Sequence, residues 1–124
     1  MIAMRCWAMV IALSIGVLSV SAWAETAVDE IAYLLDTIRH SSCTFVRNGK
    51  DYDGATAADH IAAKYEHFKA EIRTTEDFID RAATKSELTG EPYRLRCGGP
   101  TILAADWLRT TLAAHREGAT PGGN

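Results

Sequence analysis

The sequence predicts an α+β domain, with about four helices packed on a small antiparallel sheet made of one hairpin and one further strand. Three observations carry that prediction. Apolar residues recur at helical spacing in four separate stretches. Asn48-Gly49 sits between two short strand-like runs, and residues Tyr93 to Cys97 alternate apolar and polar. No internal repeat and no domain boundary interrupts the chain after residue 24, so one domain is expected over 25–117, with 118–124 as a flexible tail.

The first 24 residues read as a secretory signal rather than as part of that domain. Arg5 is the only charge before Glu25, Cys6 to Val20 is apolar, and Ser21-Ala22-Trp23-Ala24 supplies the small side chains of an A-x-A site. Cleavage is expected after Ala24. The rival is a retained membrane anchor, since Cys6 to Ala24 is 19 uncharged residues and about 20 suffice to span a bilayer. No apolar region precedes Cys6, so it is not a lipidation site. Nineteen of these 24 residues are apolar, which explains a hydrophobic fraction of 48% for the whole chain.

The remaining 100 residues carry 12 basic and 16 acidic side chains, a net −4, and contain no Met. That balance argues against phosphate, nucleic-acid or anionic-membrane binding as the main task. It also excludes thioether metal sites. The composition is that of a folded single domain, neither disordered nor a multi-domain enzyme.

The elements follow in order. Thr26 to His40 is the first helix, with Val28, Ile31, Leu34, Leu35 and Ile38 as its apolar stripe and Thr26 as N-cap. Thr44–Arg47 and Lys50–Asp53 form the hairpin around Asn48-Gly49, a pair suited to a type I′ turn, and that register sets Phe45 opposite Tyr52. A second helix starts at Thr56, with Ala58, Ile61, Tyr65, Phe68 and Ile72 as one seam. Thr74 and Asp77 cap a third helix that turns Phe78, Ile79 and Ala82 inward and ends near Thr84. Lys85 to Pro92 is a loop, and Tyr93 to Cys97 a strand with Tyr93, Leu95 and Cys97 inward. After Gly98-Gly99-Pro100, Ile102 to Arg116 is the fourth helix, with Leu103, Trp107, Leu108 and Leu112 on its apolar side.

Two cysteines remain in the exported domain, Cys43 and Cys97, an even count that points to one disulfide. The bond would close a 54-residue loop, a constraint of about 4 kcal/mol in the chain-entropy model, and would pin the hairpin to the third strand. The alternatives are a thiol nucleophile, for which His40 is the nearest base, or a metal site. Neither cysteine has the close-spaced partner that zinc favours.

A family resemblance rests on Phe45-Val46-Arg47-Asn48-Gly49, on Ala57-Ala58-Asp59-His60-Ile61 with Lys64-Tyr65, on the run Ile72 to Ile79, and on Ala83 to Ser86 with Thr89 to Tyr93. In this order they resemble the domain-of-unknown-function family numbered 5329, small exported proteobacterial proteins, over about residues 28–115. The resemblance implies a periplasmic home and no particular reaction. The family pattern reads Gly-Lys-Pro-Tyr where this chain has Gly90-Glu91-Pro92-Tyr93. That charge reversal weakens any anion site at this position. Some members lack the cysteine pair, which makes the disulfide a local reinforcement.

Candidate chemistry is sparse. His60, Lys64, His67 and Glu71 fall on one side of the second helix, a stripe read first as a solvated face and second as a binding edge with a titratable component. Arg47-Asn48-Gly49-Lys50 presents two cations at the hairpin tip. The loop up to Tyr93 carries the Ser86 and Thr89 hydroxyls, without a nucleophile elbow or an S-x-x-K motif. There is no H-E-x-x-H, phosphate loop or dinucleotide fingerprint. No cofactor or metal is expected.

If Arg47, Asn48, His60, Lys64, Ser86 and Tyr93 converge, they make a polar pocket. The leading expectation is a small, non-catalytic binding or interaction module whose partner is an envelope protein or a small ligand, neither nucleic acid nor, after cleavage, membrane. The alternative is a small hydrolase- or transferase-type enzyme with His60 as base for Ser86 or Tyr93.

Overall fold

The computed structural model describes Gly16 and residues 26–119. The leader read at 1–24 and its cleavage point lie, apart from Gly16, outside the described residues. The described chain is α+β: α1 (Ala27–Arg39), β1 (Thr44–Arg47), β2 (Lys50–Tyr52), α2 (Gly54–Phe68), a 3-10 turn (Lys69–Glu71), α3 (Thr75–Ala82), β3 (Arg94–Arg96), β4 (Ile102–Leu103) and α4 (Ala104–Ala119). None of the described helices is long and apolar enough to cross a membrane.

Thr26 caps α1 as its sequence predicts, its hydroxyl accepting from the Asp29 amide at 3.2 Å. Ile31, Leu34 and Ile38 are buried, but Val28 is 65% exposed. At 100° per residue Val28 lies about a quarter turn from the centre of that face, and Glu30 turns inward from the same first turn instead.

The hairpin has its expected register, Phe45 opposite Tyr52 and Arg47 opposite Lys50. Asn48 (φ 51°) and Gly49 (φ 76°) take the left-handed conformations that a type I′ turn demands. The sheet is antiparallel throughout, in the order β2-β1-β3-β4. A disulfide joins Cys43, just before β1, to Cys97, just after β3.

The fourth strand differs from the sequence reading, which placed Ile102 and Leu103 in the last helix. Gly98 (φ 84°), Gly99 and Pro100 turn the chain back on β3. Ile102 and Leu103 therefore pair with Leu95 and Arg94 before the helix begins. Leu103 is 40% exposed, and α4 packs through Ala104, Ala105, Leu108 and Leu112, with Trp107 edge-on to Phe45 at 6.0 Å. The helix runs on through Gly118 to Ala119, into the expected tail.

Helix α2 also starts earlier than the Thr56 boundary. Asp53 is its N-cap, accepting from the Thr56 amide at 2.8 Å. Gly54 is required there by a close approach. A Cβ at that position would collide with the Ile38 carbonyl and stand 2.9 Å from the Ser41 carbonyl at the end of α1. Thr74 and Asp77 form both halves of a capping box on α3.

The helices α2 and α4 contact the sheet, while α1 and α3 pack against those two. Phe78, Leu34, Ile38, Ile79, Leu95 and Leu108 are fully buried at the centre of the one core.

Candidate functional site

On β1 the side chains alternate, so Arg47 shares a face with Phe45, and cross-strand pairing puts Tyr52 on that face too. Helix α2 lies over this face and brings His60 and Lys64 towards it. Here the structure corrects the reading of the α2 stripe as a solvated face. Lys64 is only 9% exposed and His60 is half-buried, whereas His67 and Glu71 remain at the surface. Glu71 has left the helix for the 3-10 turn and pairs with Arg81 at 3.4 Å.

Four of the six candidate residues meet. Arg47 Nη1 lies 2.7 Å from Nδ1 and 2.8 Å from Nε2 of His60, and Nη2 donates to the Tyr52 hydroxyl at 3.2 Å. The His60 Nε2 and the Tyr93 hydroxyl are 3.3 Å apart. Lys64 Nζ donates to the same hydroxyl at 3.1 Å and to the Lys85 carbonyl at 2.7 Å, and stands 3.4 Å from Glu87. The guanidinium lies 5.0 Å above the Tyr52 ring and the Lys64 ammonium 5.0 Å above that of Tyr93.

The other two candidates form a tie beside the cluster. Asn48 Nδ2 donates to Ser86 Oγ at 3.2 Å, and the Thr89 hydroxyl donates to Asn48 Oδ1 at 2.6 Å. Ser86 Oγ also accepts from the Leu88 amide at 3.3 Å. These contacts fasten the hairpin tip to the 85–92 loop, which a bridge between Lys85 and Pro92 closes. Ser86 is buried, and His60 is not among its hydrogen-bond partners.

A guanidinium can only donate, so His60 meets Arg47 as a neutral ring. Both ring nitrogens lie within reach of Arg47 as acceptors, and the tautomer sets whether Nε2 donates to the Tyr93 hydroxyl or accepts from it. The electrostatics agree. Burial holds His60 below its ordinary value of 6.5, and the positive charges of Arg47 and Lys64 push it in the same direction.

Beside these groups is a cleft of about 50 Å³, lined by Arg47, His60, Tyr52, Thr56 and Tyr93 and, on its apolar walls, by Phe45, Val46, Ala57, Ile61 and Ala104. Among the described residues no carboxylate pairs with Arg47. No group of three or more His, Cys, Asp or Glu suited to a metal ion occurs among them either.

Sequence reasoning missed Tyr52 as a polar participant, although its place opposite Phe45 was readable from the turn. It also missed Glu87 and the apolar walls. Ala57, Ile61 and Ala104 carry no chemical signature, and only packing makes them a cleft.

Fold and site together define a small α+β domain, stapled once, with a cation-edged cleft between a hairpin and a helix. The chain belongs to a family of unknown function, DUF5329, whose model matches residues 25–116. It is similar to the uncharacterized protein YfeK of Salmonella typhimurium, 35% identical over 80 residues that span 61% of this chain and 67% of that protein. No solved structure matches the chain.

Proposed function

We propose that the protein is an exported, periplasmic, non-catalytic binding module, whose ligand or envelope partner seats in the cleft between β1, β2 and α2. Arg47 carries this reading. Its guanidinium is half-buried at the edge of an apolar-walled cleft, and its partners are the neutral His60 ring and the Tyr52 phenol rather than a carboxylate. Taking a charge partly out of water without a counter-ion is costly. An incoming group that supplies the missing partner recovers that cost.

Ser86, the nucleophile a hydrolase would need, is buried and spends its oxygen on Asn48 and on the Leu88 amide. That favours binding over catalysis. Export is supported by the apolar leader with its A-x-A end and by the Cys43–Cys97 bond, which suits an oxidising compartment.

Two measurements test the proposal. Cell fractionation followed by N-terminal sequencing is expected to find the protein in the periplasm, starting at Glu25. Recovery of the intact chain in the membrane fraction would count against it. Crosslinking in periplasmic extract, combined with a fragment screen by amide NMR, is expected to yield a partner or ligand that shifts Arg47 and His60 and is lost in Arg47→Gln. Repeated failure of both screens would remove the binding role.

A further inference from the structure

Resting on that reading, we propose that the ligand is a small free organic acid, a single carboxylate on a compact apolar body such as one aromatic ring, held by Arg47 together with a protonated His60. The charge pattern sets the carboxylate. Arg47 bonds His60 and Lys64 bonds its neighbour Tyr93, and among the described residues the one carboxylate touching this group is Glu87, on Lys64 at 3.4 Å. The two Nη atoms of Arg47 go to neutral acceptors, the His60 ring and the Tyr52 hydroxyl. A planar carboxylate matches that fork and makes stronger, charge-assisted bonds with it.

The body follows from the walls. Phe45, Val46, Ala57, Ile61 and Ala104 line about 50 Å³, far less than the roughly 300–1,000 Å³ of pockets that hold drug-sized ligands. A short branched chain, or the edge of one ring whose remainder stays in solvent, is the scale of group that this space accepts.

His60 makes the site proton-coupled. Arg47 faces it from β1, Lys64 from its own helix and Tyr93 from just before β3, while Tyr52 on β2 bonds Arg47, and α4 contributes only Ala104 to the cleft. In the free protein burial, and after it the charges of Arg47 and Lys64, favour the neutral ring. A carboxylate seated on Arg47 reverses that preference, and His60 takes a proton from solvent and becomes a second donor. Over the pH range between its free and bound values the complex holds one more proton than the free protein. Affinity therefore rises as pH falls, until the ligand itself protonates.

The test is an amide-NMR titration of the purified protein with benzoate at pH 8 and pH 6, run beside the isosteric neutral benzamide. Benzoate is expected to shift the Val46, Arg47 and Ala57 amides and to bind severalfold more tightly at pH 6 than at pH 8, one unit of His60 shift setting a ceiling of about tenfold. Benzamide is expected to bind at least about tenfold more weakly, within the range of a lost charge-assisted pair. In His60→Gln the two pH values should give the same affinity, and Arg47→Gln should lose benzoate.

Equal binding of benzamide and benzoate would overturn the anion chemistry while leaving the cleft reading in place. No cleft shift with either probe would overturn both. The benzoate–benzamide comparison needs only the unaltered protein, so it decides the matter even if a variant unfolds. An acetylated Gly-Gly-Phe peptide offers the same carboxylate at a chain end. If it binds much more tightly than benzoate, the ligand is a protein terminus and the free-acid proposal falls.

Discussion

Arg116 and Arg47 receive different treatment in this fold. Arg116, on α4, donates through Nε and Nη2 to the two oxygens of Glu30 at 2.8 and 2.9 Å, and through Nη1 to Glu76. Glu30 is buried against α3, where the Thr75 hydroxyl donates to it at 2.6 Å. The guanidinium lowers both carboxyls below their ordinary value of 4.5, and they in turn raise Arg116. Arg47 meets a neutral imidazole and a phenol instead. The first cluster pairs each charge with an opposite one and ties α1, α3 and α4 together. The second leaves a cation whose natural partner is missing. Similar residues thus serve cohesion in one place and are open to recognition in the other.

The comparison breaks most severely at the staple. Removing the disulfide with Cys43→Ala and Cys97→Ala is expected to cost about 2–5 kcal/mol by urea denaturation. Hydrogen exchange should show β1 and β3, which frame the cleft, losing more protection than α1 and α4. A loss under about 1 kcal/mol, or one spread evenly, would contradict this account.

Glu30→Gln is the next largest. It removes one of the two carboxylates on Arg116, leaving Glu76, and takes the charge from the acceptor of the buried Thr75 hydroxyl, a loss of about 2–3 kcal/mol. A neutral result would mean that the cluster is ornamental to stability.

Acid should separate the two regions by where it acts. His60 is held below 6.5, so from about pH 6.5 downwards the unfolded chain binds its proton first and stability falls. Glu30 and Glu76 are held below 4.5, so their contribution is complete above that value and is lost as pH falls through their lowered values. The cap carboxylates Asp53 and Asp77, also lowered, add to this second step. Denaturation at pH 7.5, 5.5 and 3.5 should show His60→Gln losing the upper step only. An unchanged upper step in that variant would refute the assignment.

The smallest effect is expected at Arg47. Arg47→Gln should leave stability within about 0.5 kcal/mol and move His60 back towards its ordinary value, as followed by imidazole proton NMR. A large loss of stability would make Arg47 a structural cation like Arg116.

How much of this was legible depended on range. The Thr74–Asp77 capping box, the Asn48-Gly49 turn with Phe45 opposite Tyr52, and the Ile31, Leu34 and Ile38 face are local patterns, and each appears as read. The bond between Cys43 and Cys97 followed from having just two cysteines in the domain. The Glu30–Arg116 pair spans 86 residues and left no trace in local spacing. Gly54 gave no local signal of its role: it is there because α1 ends against it. Of the candidate residues, Arg47, His60, Lys64 and Tyr93 were selected by residue type, and the same reasoning also selected Ser86, which serves the loop.

The sequence by itself determined the class of fold, three of its turns and caps, the staple and the inventory of chemical groups, because periodicity, capping and cysteine count act within a few residues or by elimination. Only the tertiary structure decided that Ile102 and Leu103 pair with β3, that Lys64 is buried, and that among the described residues Arg47 meets no carboxylate while Arg116 meets two. Whether a charge is matched depends on which distant side chain packing brings within about 3 Å of it, and no local pattern encodes that distance.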